Sequence, residues 1–272
     1  MNNDTADKTT TSTFAGFGRA LAAEWRKLWA VRATAATLIS LPLIALIFSW
    51  LFSDGGARGY AGLSPAEQNA FDPTAISLQS HLMAQMVVGI LGVLAITTEY
   101  STGMIATTTT AVPRRGVLFA AKAVVITAVT LLAGTLTALL SFGLGQLIIG
   151  HYAAPTAQLS DPHVVRAVLG MGLYLALTAL LGLAVGTLLR SSAAALGTIV
   201  TAVLILPAIS QNLPESTADL IARYWPNIAG SRIMTVLADP DLLTPWSGFT
   251  LLLTTVAVIT AWAYAMFRVR DI

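Results

Sequence analysis

The chain has 272 residues, of which 56% are hydrophobic and 10% charged, against roughly 25% charged residues in a soluble domain. It carries a net charge of +2 and no cysteine, which excludes structural disulfides, cysteine-ligated zinc and haem attachment through Cys-x-x-Cys-His. The basic residues lie beside apolar stretches rather than in one dense patch, so they argue against nucleic acid as a partner.

In chain order, residues 1–13 (MNNDTADKTTTST) are polar and lack the apolar core of a signal peptide; they are expected to form a disordered cytoplasmic tail. Over 14–31, Phe14, Phe17, Leu21, Trp25 and Leu28 recur at spacings of three and four, with Arg19 and Arg26 opposite. That spacing predicts an amphipathic helix, which with Glu24 and Lys27 forms an elbow in the cytoplasmic interface, its cations drawn to anionic lipid. A plain topogenic flank is the simpler account of its charges.

A helix needs about 20 apolar residues to cross roughly 30 Å of hydrocarbon. Charge-free runs of that order lie near 33–52, 78–98, 123–150, 167–189, 193–210 and 245–267. They predict an all-α polytopic membrane protein, one transmembrane domain over 14–272 with six spans. The fourth and fifth runs are separated only by Arg190, Ser191 and Ser192 and could instead form one kinked region. With both termini cytoplasmic, 11 of the 15 basic residues face inward and only Arg58, Arg166, Arg223 and Arg232 face outward, as the positive-inside rule requires. The third outward segment, 211–244, carries Tyr224 and Trp225 beside Arg223. This mixture suits a re-entrant or surface helix, or an aromatic anchor on an irregular loop.

Between the second and third spans, 99–122 is the longest inward loop. Glu99 ends a span and Tyr100 follows it; Gly103 permits a sharp turn, Met104 to Val112 is mildly apolar, and Pro113 stops that segment before Arg114 and Arg115. The pattern fits a short helix across the membrane face, with Glu99 pairing with a cation of the elbow and the arginines with acidic groups or lipid phosphates. On charge alone a solvated topogenic loop is the favoured reading. Gly89 and Gly92, and Gly182 and Gly186, allow close helix approach, either within the monomer or along a dimer seam. Pro42 and Pro207 are expected to kink the first and fifth spans.

No ionisable residue sits at mid-span. His81 lies near the outer end of the second span with Gln85 one turn deeper, and His151 and His163 fall outside, so no proton wire is visible. His-Glu-x-x-His, Gly-x-Ser-x-Gly and metal-ligand spacings are missing, and no catalytic or metal-binding residue is assigned. Nor is there a Gly-x-x-x-x-Gly-Lys-Ser/Thr phosphate cradle.

The pattern Glu99, Gly103, Met104, Ile105, Pro113, Arg115 and Lys122 resembles the inward loop of ABC-2-type ABC transporter permeases. The run Glu24-Trp25-Arg26-Lys27-Leu28 resembles the start of the same family, and Ala106 stands where many relatives carry a basic residue. The resemblance implies the ABC-2-type exporter fold and a coupling element from Glu99 to Arg115, braced by the elbow, that docks on a separate ABC ATPase subunit. It further implies that the chain binds no cofactor, ATP and Mg sitting on the partner. A homodimer or heterodimer with a second permease, in the cytoplasmic (inner) membrane, would move an amphipathic or hydrophobic drug, antibiotic or lipid. The competing expectations are a non-transport membrane scaffold for immunity or signalling, and an ion-coupled secondary transporter.

Overall fold

The computed structural model describes residues 4–30, 32–104, 115–210, 212–237 and 239–270, and contains no strand among them. The elements are α1 (Asp4–Ala30), α2 (Arg32–Arg58), a short 3-10 turn (Tyr60–Gly62), α3 (Pro65–Asn69), α4 (Pro73–Leu78), α5 (His81–Ser101) and α6 (Arg115–His151). They continue with α7 (Val164–Leu189), α8 (Ser192–Val200), a π-helical turn (Thr201–Ile205), α9 (Leu206–Ser210), α10 (Glu215–Tyr224), α11 (Pro226–Ser231), a 3-10 turn (Arg232–Met234) and α12 (Pro245–Val269). Six helical segments are long and apolar enough to cross a membrane: Thr34–Gly62, Pro73–Ser101, Arg115–His151, Val164–Leu189, Ser192–Ser210 and Pro245–Val269. The protein is therefore an all-α, multi-pass membrane protein.

Several boundaries differ from those expected from hydropathy. The elbow helix begins at Asp4, not Phe14, so most of the segment expected as a disordered tail is helical. No glycine or proline interrupts residues 4–15, and adding turns to an existing helix is far easier than nucleating one. The first span continues past residue 52 because Asp54 is paired on the spot with Arg58 at 2.7 Å and accepts a hydrogen bond from the Tyr152 hydroxyl at 2.5 Å. The second span gains the lead-in α4, whose N-cap Asp72 accepts from Ala75 N–H at 2.9 Å. The fourth and fifth spans are separate helices. Arg190 turns the chain in the left-handed region at φ 51°, and Ser191 caps the next helix by accepting from Ala194 N–H.

α7 is the most enclosed span, packed against α5, α6 and α12. Its approach to α5 is backbone on backbone. A Cβ on Gly92 would lie 2.0 Å from the Ala179 carbonyl oxygen, and one on Gly182 would lie 2.4 Å from that of Gly89. All four glycines singled out in the sequence meet this seam or its edge, Gly186 against Ile96 and Gly89 against Ile199. Outward-facing Leu132, Leu147, Val258 and Trp262 are exposed; lipid is as apolar as they are, so bundle interfaces are selected by close packing rather than by hiding such faces.

Proline explains the architecture at the C-terminal end of the fifth span. Pro207 has no N–H to offer the preceding turn, so the carbonyls of Ala202 and Val203, five and four residues before it, need other donors. Trp225 Nε1 donates to Ala202 O at 2.8 Å, and Asn227 Nδ2 reaches Val203 O in a long contact of 3.5 Å. Those donors arrive because α11 and the following 3-10 turn enter the bundle, with Ala229, Gly230, Ile233 and Met234 buried.

Candidate functional site

At the C-terminal end of α5, three helices contribute to one ion cluster. Helix periodicity puts Glu24 and Lys27 of α1 on adjacent turns of one face, and Lys27 Nζ donates to Glu24 Oε1 at 2.9 Å and to Glu99 Oε1 at 3.3 Å. Lys122 Nζ, from α6, donates to Glu24 Oε2 at 2.5 Å and to Glu99 Oε1 at 2.7 Å. Glu24 and Glu99 are 4% exposed and Lys122 5%, so the two carboxylates and one ammonium are withdrawn from water while Lys27 is one-third exposed. Burial would push the Glu24 carboxyl up, but the charge and hydrogen bond of Lys122, helped by Lys27, hold it below its ordinary 4.5. Burial would likewise pull the Lys27 ammonium down, and Glu24 and Glu99 instead hold it above its ordinary 10.5.

This arrangement corrects the loop boundaries 99–122. Glu99 and Tyr100 belong to the last turn of α5, and Arg115 and Lys122 to the first turns of α6. Charge ends a hydropathy window, but a paired charge need not end a helix; Lys122 is a buried partner rather than a topogenic flank. Between the two helices, Gly103 adopts φ +70°, a backbone state that glycine enters without steric cost, and Met104 is exposed. Ile105, Pro113 and Arg114 lie outside the described residues, as does Ala106. Arg115 Nη1 donates to the Arg270 carbonyl at 2.7 Å, and Arg270 Nη1 to the Leu188 carbonyl at 3.1 Å. The guanidinium of Arg190 sits 5.4 Å from the centre of the Tyr100 ring. On the elbow, Trp25 and Trp29 stack edge to face at 5.8 Å and are half exposed, while Phe17, Leu21 and Arg26 are not part of the ion cluster.

A second polar cluster, at the N-terminal end of α5, is only half visible in the sequence. Tyr174 Oη lies 2.5 Å from both Gln85 Oε1 and Asn227 Oδ1, and Asn227 Nδ2 donates to Gln85 Oε1 at 3.2 Å. His81 packs its ring edge-on to Tyr174 at 5.6 Å. Beside it, Asp72 Oδ2 accepts from the Val236 and Leu237 N–H groups at 2.7 and 3.1 Å, and Arg166 donates to the Thr235 carbonyl at 2.7 Å. Tyr174 and Asn227 were not singled out because a tyrosine in a span and an asparagine in a loop carry no local signal. The freed carbonyls before Pro207 were the available clue. Among the described residues, no group of His, Asp and Glu could hold a metal ion.

No curated protein matches the sequence. The family model described as ABC-2 family transporter protein matches residues 20–208, more than half of the chain, covering the C-terminal part of the elbow, the ion cluster and the first five spans up to residue 208. The chain therefore belongs to the ABC-2 family of transporter proteins and is a transmembrane permease of an ABC transporter, a family whose permeases pair with an ABC ATPase subunit.

Proposed function

We propose that the chain is the permease half of an ABC exporter, dimerising with itself or a second permease and driven by ATP and Mg on a separate ATPase. The observation that carries this reading is the ion cluster, which fastens the elbow to both helices flanking residues 102–114. A push on that segment cannot be absorbed locally, since freeing one partner of a buried ion pair costs about 3–5 kcal/mol. α1, α5 and α6 then move as one body. At its far end α5 holds Gln85, 14 residues from Glu99 or about 21 Å along the helix, in contact with Tyr174 and Asn227. The coupling residues proposed are Glu99, Tyr100, Gly103, Met104, Ile105, Pro113, Arg114, Arg115 and Lys122, with Glu24 and Lys27 as the brace.

ATP hydrolysis is assigned to the partner because the sequence carries no phosphate cradle. The inner membrane and cytoplasmic termini are supported by the 11 to 4 distribution of basic residues. An amphipathic or hydrophobic cargo moving outward is supported by spans nearly free of ionisable groups. Because the chain has no cysteine, single cysteines at exposed Ser101 and exposed Glu67 test both points. The Ser101→Cys variant should be protected from an outside reagent in intact cells and cross-link to the co-expressed ATPase, and the Glu67→Cys variant should label from outside. Labelling of the Ser101→Cys variant from outside would end the proposal.

A further inference from the structure

Between α1, α2, α5 and α6 lies a cavity of about 220 Å³ whose wall is mostly apolar, including Leu28, Leu91, Ala95 and Ile126, and which reaches Glu24, Lys27, Glu99 and Lys122. Its polar end is neutral in charge, two carboxylates against two ammonium groups, but it is not satisfied in hydrogen bonds. All the hydrogen bonds that Glu99 accepts fall on Oε1, and Oε2, although buried, has no hydrogen-bond partner among the described residues. A buried carboxylate oxygen without a donor is costly to the fold.

We infer that this cavity is a binding site for a primary ammonium carried on an apolar body, the ammonium donating to Glu99 Oε2 and the body lying against Leu91, Ala95 and Ile126. The unsatisfied oxygen belongs to a carboxylate, so it calls for a donor, and a charged N–H makes the strongest bond to it. A quaternary ammonium carries charge but no N–H and cannot make that bond. At roughly 30 Å³ per water-sized group, the volume suits about seven heavy atoms, a short alkylamine or the ethanolamine end of an aminophospholipid. The inference is independent of ATP coupling, since it is read as binding to the isolated chain.

The test uses the purified full chain in phosphatidylcholine nanodiscs with radiolabelled octylamine, and with octanol and octyltrimethylammonium as competitors. One saturable site per chain is expected, with octylamine preferred over either competitor by about tenfold or more, the scale of one charge-assisted hydrogen bond. Glu99→Gln should remove that preference. Ala95→Leu, which fills the cavity and leaves the ion cluster in place, should abolish saturable binding, so the result does not depend on one variant's folding. Exchanging part of the phosphatidylcholine for phosphatidylethanolamine separates the two sources. Competition identifies the lipid headgroup as occupant, and no competition identifies a free amine; either upholds the site. Equal uptake of octylamine and octanol, unchanged by Ala95→Leu, would mean a cavity holding only water or lipid tails and would overturn the inference.

Discussion

Replacing Lys122 by methionine keeps the length of the side chain and removes the ammonium that holds Glu24 Oε2 at 2.5 Å and Glu99 Oε1 at 2.7 Å. Two buried carboxylates are then left to Lys27 alone. Removing one partner from a buried ion pair costs about 3–5 kcal/mol, but the protein has a cheaper escape, protonation of Glu24. Taking up a proton at pH 7 on a group whose ordinary value is 4.5 costs about 1.4 kcal/mol for each pH unit, or roughly 3.4 kcal/mol in all. The penalty should therefore sit near that figure at pH 7 and shrink to about 1.4 kcal/mol at pH 5.5. The sign follows from proton counting: above 4.5 the folded variant holds a proton that its unfolded chain has released, so acid favours the fold. At about 2–4 °C per kcal/mol, thermal unfolding in detergent should drop by roughly 7–14 °C at pH 7 and by less than half of that at pH 5.5. Adding Glu24→Gln should restore at least half of the loss. A deficit of the same size at both pH values, or a double variant that falls by the sum of its parts, would refute the claim that these charges act as one unit.

In the intact protein, Glu24 is held low, so its contribution is present above 4.5 and lost as pH falls through its folded value; Lys27 is held high, so its contribution is present below 10.5 and lost as pH rises through its folded value. Unfolding temperature should accordingly be level between those limits and fall on either side. Gly92→Ala drives a methyl to 2.0 Å from the Ala179 carbonyl oxygen and should cost at least the ~1–3 kcal/mol of an overpacked core. Gly143→Ala meets nothing within 4 Å and should stabilise α6 by up to about 1 kcal/mol; equal effects would remove the α5–α7 seam from the account. Asp72→Ala loses an N-cap worth about 1 kcal/mol together with the acceptor for Val236 and Leu237. Limited proteolysis from the outside should then cut faster within 235–244, and an unchanged rate would show that the contact does not order that segment.

Hydropathy made the number of spans legible because lipid imposes a length on any helix that crosses it, whereas glycine spacing marked where helices could approach closely without saying which helices meet. Pairing between distant residues is not written locally. Lys122 looked like a flank because its two carboxylate partners are 98 and 23 residues away. The prediction that Glu99 could meet a cation of the elbow rested on placing both at the same membrane face, and the structure shows Lys27 as that cation. The partners of Gln85 were beyond reach, since Tyr174 is 89 and Asn227 142 residues away in the chain and nothing local announces either contact.

On the proposed reading, the two polar clusters at the ends of α5 have unequal tolerance for movement, and this inequality sets the order of events. The inner cluster has four ionic contacts between 2.5 and 3.3 Å, so it survives a small displacement of the elbow and travels with α5. The outer one includes the Asn227 contact to Val203 already stretched to 3.5 Å, the limit at which a hydrogen bond retains useful strength, while Gln85 holds Tyr174 at 2.5 Å. A shift of α5 moves Gln85 against Tyr174 and Asn227, and these neutral hydrogen bonds weaken steeply as their geometry worsens, whereas the charge pairs still attract at a larger separation because Coulomb energy falls only as the inverse of distance. Force applied at residues 102–114 is thus expected to be spent at the outer end. It would loosen α11 from α5, and the carbonyls exposed by Pro207 would then be held by Trp225 alone.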